Sequence, residues 1–135
     1  MVMVFVFAAS SNAFASPKVL LNESVNAESL NFAFLSQVFA MQVRRWPNGV
    51  PIEVFMLPKN SEVHREFVLR RLKIQPHQLD RIWNRMLFTG TGKAPTVVES
   101  EADMLEMVRT TPGAIGYVSV GFPVEGVTAL EGERP

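Results

Sequence analysis

The sequence predicts an α/β fold with a mostly parallel or mixed sheet covered by helices on both faces. Three observations predict it. Short apolar runs bounded by turn residues alternate with longer segments of helical period, in the order β-α-β-α-α-(β)-α-β. Such alternation places helices on the two faces of a sheet. The chain has 135 residues, 47% of them hydrophobic and 19% charged, which fits one globular domain and excludes a disordered chain. Ten Phe, seven Met and two Trp supply the core of a domain that buries about two-thirds of its unfolded surface.

Residues 1–15 read as a secretory signal peptide, and residues 16–135 as a single domain. Met1 begins nine apolar residues without a charge, followed by Ser10, Ser11 and Asn12 and then Ala13-Phe14-Ala15. An apolar run closed by small-x-small is how such a segment ends. No Lys or Arg precedes the run, which departs from the pattern; a buried first strand is the competing reading. The run is roughly half of the ~20 residues that cross a bilayer, so no membrane span is expected after signal removal. The protein is expected to be periplasmic or secreted. The chain has no cysteine, which excludes disulfides and thiolate chemistry.

Lys18, Val19, Leu20 and Leu21 form a short apolar run closed by the Asn22-Glu23-Ser24 turn, and read as a buried strand. Ser29 is placed to cap a helix reaching about Met41, apolar on two sides and so largely buried. Trp46-Pro47-Asn48-Gly49 is a turn by its Pro and Gly chemistry. A strand over 52–57 follows, stopped by Pro58. Ser61 caps the next helix, with Glu62 in its electropositive first turn. Pro76 suits the start of another. There Leu79, Ile82, Trp83, Met86 and Leu87 give the clearest amphipathic spacing in the chain. Val97-Val98 reads as a very short strand. Ser100 and Asp103 start a helix that Thr111-Pro112-Gly113 ends. Strands over 114–120 and 127–130 complete the order.

Thirteen basic and thirteen acidic residues cancel, and overall charge gives no reason to expect a nucleic-acid partner. The distribution is uneven. Residues 44–93 carry ten Lys/Arg against four Asp/Glu, a net of +6, and residues 99–135 carry two against seven, a net of −5. The basic half suits an anion or simply solvated helix faces.

The motifs exclude more than they assign. Gly90-Thr91-Gly92-Lys93 fails as a phosphate loop, because Leu87 stands where Gly is needed and Ala94 where Ser or Thr is needed. Ser61, His64 and Glu66 are not spaced to form a relay on one helix; a capping Ser and an exposed His are expected. Two separate histidines give no metal-ligand spacing. No catalytic residue, metal or cofactor is expected. The feature with chemical promise is Lys59-Asn60-Ser61, which leads from a strand into a helix. Free N–H groups and the helix dipole favour an anion there, the Lys and Ser add donors, and open α/β sheets bind ligands at the carboxyl ends of strands.

Four segments in order carry a family likeness: Arg45-Trp46-Pro47-Asn48-Gly49-Val50-Pro51-Ile52, Pro58-Lys59-Asn60-Ser61 with Arg65 and Phe67, the stretch from Trp83 to Gly90, and Pro112-Gly113-Ala114-Ile115-Gly116-Tyr117-Val118. Together they resemble small secreted proteins related to the substrate-binding component of phosphate ABC transporters, over residues 18–120. The resemblance implies a single-lobe, periplasmic-binding-protein-like three-layer sandwich, about half of a two-lobed clamshell. It implies a phosphate-holding turn where this chain has Lys59-Asn60-Ser61-Glu62-Val63, of which Ser61 alone carries over; the family's Gly and Thr are absent and Glu62 adds a negative charge. The expected site is thus Lys59, Asn60 and Ser61, together with the Asn22 and Ser24 turn, for a small anion such as phosphate. The alternative is an interaction module that kept the lobe and lost the ligand, with a second copy or a periplasmic protein as partner.

Overall fold

A computed structural model describes residues 16–90 and 93–131. The signal-peptide reading of residues 1–15 falls outside them, as do Thr91 and Gly92 of the rejected phosphate loop. Among the described residues five strands form one sheet: β1 (Lys18–Leu21), β2 (Glu53–Met56), β3 (Thr96–Val97), β4 (Ala114–Val118) and β5 (Thr128–Leu130), in the order β3-β2-β4-β1-β5. The sheet is mixed. β3, β2 and β4 run parallel, while β1 is antiparallel to both β4 and β5. Parallel strands need crossovers, and the helices supply them.

The α-helices of the described residues are α1 (Phe32–Phe39), α2 (Glu62–Phe67), α3 (Pro76–Phe88) and α4 (Glu101–Thr110). A π-helical turn, Val68–Leu72, continues α2, and a 3-10 turn, Ala27–Ser29, precedes α1. The predicted cap of α1 is corrected by this. Ser29 belongs to the 3-10 turn, and Asn31 caps the helix by accepting the Phe34 N–H at 2.8 Å. The helix also ends at Phe39, because Met41 takes φ 61, a left-handed value that cannot continue it. The other caps fall where the sequence puts them. Ser61 Oγ accepts the His64 N–H at 3.3 Å, Ser100 Oγ accepts the Asp103 N–H at 3.0 Å, and Pro76 opens α3.

Strand β4 lies at the centre and divides the core by the alternation of its side chains. A Cβ on Gly116 would meet Met104 and Val108, so α4 lies flat against that face. On the other face Tyr117 stacks on Phe67 at 4.0 Å and 6° and meets Phe39 at 6.3 Å, which brings α1 and α2 to that side. Trp83 ties α3 to the same layer by donating Nε1–H to the Phe39 carbonyl at 2.5 Å. Helices thus cover both faces in three layers, and Ala114, Ile115, Tyr117 and Val118 are wholly buried between them.

Two of the segments that carry the family likeness meet in space. Trp46 Nε1–H donates to the Gly113 carbonyl at 2.9 Å, and the Glu53 N–H donates to the same oxygen at 3.1 Å. Gly113 needs φ 76, and a Cβ there would sit 2.0 Å from the Pro51 carbonyl oxygen; only glycine allows that approach. The Trp46-Pro47-Asn48-Gly49 turn and the Pro112-Gly113 turn therefore form one knot at the amino end of β4.

Candidate functional site

In an open α/β sheet the crevice lies beyond the carboxyl ends of the parallel strands. Here those ends are Met56, Val97 and Val118. Three segments follow them: the 57–61 turn into α2, the 98–100 turn into α4, and the 119–122 turn after β4. Lys18 joins them from the start of β1, which pairs with Val118.

The 57–61 turn is built from its chemistry. Pro58 cannot donate to the sheet and ends β2. Its carbonyl accepts the Ser61 N–H at 2.8 Å, which closes the turn. Ser61 then spends its hydroxyl oxygen on the α2 cap. Lys59 and Asn60 are exposed at the tip. The Lys59 ammonium lies 3.4 Å from an Asp80 carboxylate oxygen on α3, an exposed pair that water screens. Glu62 faces solvent and lies 3.7 Å from Arg65.

Asn22 and Ser24 do not join this group. β1 is antiparallel to β4, so the residues after Leu21 emerge at the amino end of β4, where the Asn22 N–H donates to the Ala114 carbonyl at 3.0 Å. The five residues of β4 separate the two ends by roughly 13 Å at the ordinary strand rise. Asn22 is buried and already occupied. Its Nδ2 donates to the Val108 and Arg109 carbonyls at 2.8 and 3.1 Å, and its Oδ1 accepts the Ser24 N–H at 2.9 Å. Ser24 Oγ accepts the Gly113 N–H at 2.8 Å. Those last α4 carbonyls have no partner within the helix, so Asn22 serves as their cap. The expectation that the Asn22 and Ser24 turn shares a site with Ser61 is corrected by the antiparallel direction of β1.

Three further groups stand at the crevice end or just beneath it. His64, expected at the surface, is 3% exposed. Its Nδ1 lies 2.5 Å from the Tyr117 hydroxyl, which also accepts the Leu57 N–H at 2.9 Å. Burial lowers the His64 pKa below its ordinary value, Asp80 opposes the shift and Lys59 adds to it. Burial also raises the Tyr117 pKa, against the Leu57 hydrogen bond. Glu101, in the first turn of α4, accepts both the N–H and the hydroxyl of Ser119, at 2.6 and 2.8 Å on one carboxylate oxygen. Lys18 is 7% exposed and donates to the Phe122 carbonyl at 2.6 Å. None of these contacts has a local signature, since the partners lie 18 to 104 residues apart. Among the described residues no group of His, Asp and Glu is arranged to hold a metal ion, and no helix is long and apolar enough to cross a membrane.

The fold is that of one lobe of the substrate-binding proteins of phosphate ABC transporters. Three solved structures carry that assignment. A phosphate transport receptor from Vibrio cholerae superposes with TM-score 0.60 at 16% identity, over 86% of this chain and 45% of that one. A putative phosphate ABC transporter substrate-binding protein with bound phosphate, from Clostridium perfringens, gives 0.66 at 12% identity, over 86% and 44%. PstS from Borrelia burgdorferi gives 0.54 at 13%, over 79% and 41%. The chain thus spans less than half the length of these proteins. No protein-family model and no curated protein matches its sequence.

Proposed function

We propose that this chain is a non-catalytic receptor lobe of an exported protein, and that its 59–61 turn contacts a small oxyanion, phosphate being the first to test. One observation carries the reading. Lys59, Asn60 and Ser61 follow the carboxyl end of the parallel strand β2, beside the ends of β3 and β4, in a fold whose solved neighbours include one with phosphate bound. The Lys59 ammonium and the first N–H groups of α2 supply donors there. A single lobe encloses little of a ligand, so millimolar affinity is expected from the lobe alone. Calorimetry with phosphate and with sulfate at pH 7.5 tests it. Heat that Lys59→Ala removes supports the turn; no heat at millimolar ligand ends the reading.

A second reading, an interaction module of the same fold without a ligand, is favoured by Glu101. Its carboxylate takes both Ser119 donors at the end of β4 and places negative charge where an oxyanion would approach. The partner would be a second copy or another exported protein. A dimer by light scattering, with silent calorimetry, selects this reading; a monomer with phosphate heat selects the first.

A further inference from the structure

The Tyr117 hydroxyl holds both flanks of the turn that the proposed function rests on. On one side it accepts the N–H of Leu57, the first residue after β2; on the other it meets Nδ1 of His64, in the first turn of α2. The residues between are the turn itself. A hydroxyl has one proton and two lone pairs. The Leu57 N–H uses one lone pair, and the tyrosine proton, whose contact in the core is His64 Nδ1, is assigned to that nitrogen. In that arrangement His64 is the neutral ring with its proton on Nε2. The Tyr117 ring cannot swing to another acceptor, because it is stacked on Phe67 and packed by Phe39 and is wholly buried.

We propose that the His64–Tyr117 pair is an acid-sensitive latch on the 57–61 turn: a proton on His64 Nδ1 reverses the contact, leaves the tyrosine proton without an acceptor and loosens the start of α2 from β4. The balance is simple. The added proton comes from solvent and makes Nδ1 a donor. The Tyr117 oxygen can accept it, but its own O–H then loses its acceptor inside the core. A buried donor without a partner is unfavourable, and the open turn, where water satisfies every group, gains by comparison.

Three charged or titratable groups face His64, one from each packed segment. Asp80 on α3 favours the proton, Lys59 in the turn opposes it, and Tyr117 on β4 stays neutral because burial holds its own proton on. Burial outweighs the Asp80 attraction, so the closed latch prefers neutral His64. The sign follows. The closed form has the lower histidine pKa and the open form one near the ordinary 6.5. Closure is therefore fully favoured above that value and weakens as the pH drops below it. The open fraction rises by at most about tenfold per pH unit until the closed form itself takes the proton.

The test uses no ligand, so its outcome is independent of the phosphate calorimetry. Nitrogen NMR of the histidine rings at pH 7.5 should show His64 with Nδ1 bare and Nε2 protonated. Amide exchange of Leu57 and His64, corrected for intrinsic rates, should lose up to about tenfold protection per pH unit from 6.5 to 5.5. The β4 amides should stay better protected than Leu57 throughout, because they open only with the whole domain. In His64→Gln the amide oxygen can accept the tyrosine proton without titrating, and its Leu57 protection should be flat with pH. A proton on Nδ1 at pH 7.5, flat protection in the wild type, an equal loss in His64→Gln, or β4 amides exchanging as fast as Leu57 would each overturn the latch.

Discussion

Asn22→Ala is the sharpest test of where the site is not. The side chain is buried, gives two N–H bonds to the Val108 and Arg109 carbonyls and accepts one from Ser24. Alanine removes all three and leaves the end of α4 uncapped against the sheet. Each lost bond costs about 0.5–1.5 kcal/mol, so the three together cost about 1.5–4.5 kcal/mol. Folded domains are stable by only about 5–15 kcal/mol, and the variant should stay folded at 25 °C with a clearly lower urea midpoint. Asn22→Asp should fare worse at neutral pH, because a carboxylate would face two carbonyls at the negative end of α4. Phosphate heat, if the wild type gives any, should survive in Asn22→Ala, because the turn at Ser61 lies at the other end of β4. The reasoning is refuted if Asn22→Ala keeps wild-type stability, or if it abolishes phosphate heat while its urea midpoint stays unchanged.

Gly113→Ala should cost about 2–5 kcal/mol, from a left-handed backbone and overpacking, since its Cβ would meet the Pro51 carbonyl at 2.0 Å. Gly49→Ala shares the positive φ but has no atom within 4 Å, so it should cost only about 1–2 kcal/mol; equal urea midpoints for the two would remove the close-approach argument. Glu101→Gln keeps the shape and one acceptor but removes the charge from the end of β4. It should strengthen phosphate heat if an anion approaches there, and unchanged heat would place the ligand on the 59–61 turn alone. His64→Gln should flatten the pH dependence of the urea midpoint between pH 7.5 and 5.5, while the wild type should lose stability on acidification. Circular dichroism at four pH values reads both.

Much of the fold was legible because its signals are local. Ser61, Pro76 and Ser100 each stand where a helix starts, and each acts through neighbours within one turn. Pro58 ends β2 for an equally local reason, and α4 ends at Thr110, just before Pro112. The single misplaced cap, Ser29 for Asn31, shows the limit: two polar residues two positions apart both suit the role, and the 3-10 turn between them decides.

What the sequence by itself determined is the class of fold: an α/β sheet, mostly parallel or mixed, with helices on both faces, and a polar turn at the end of β2. Periodicity and capping encode those features within a few residues of one another. Only the tertiary structure decided the ends of the sheet. Strand direction depends on which strands pair, and the reversal of β1 sends Asn22 and Ser24 to one end and leaves Lys59, Asn60 and Ser61 at the other. The same holds for His64: residues 53 apart in sequence meet only because α2 lies on the Tyr117 face of β4, and that packing turns an expected surface histidine into a buried one whose pKa is lowered.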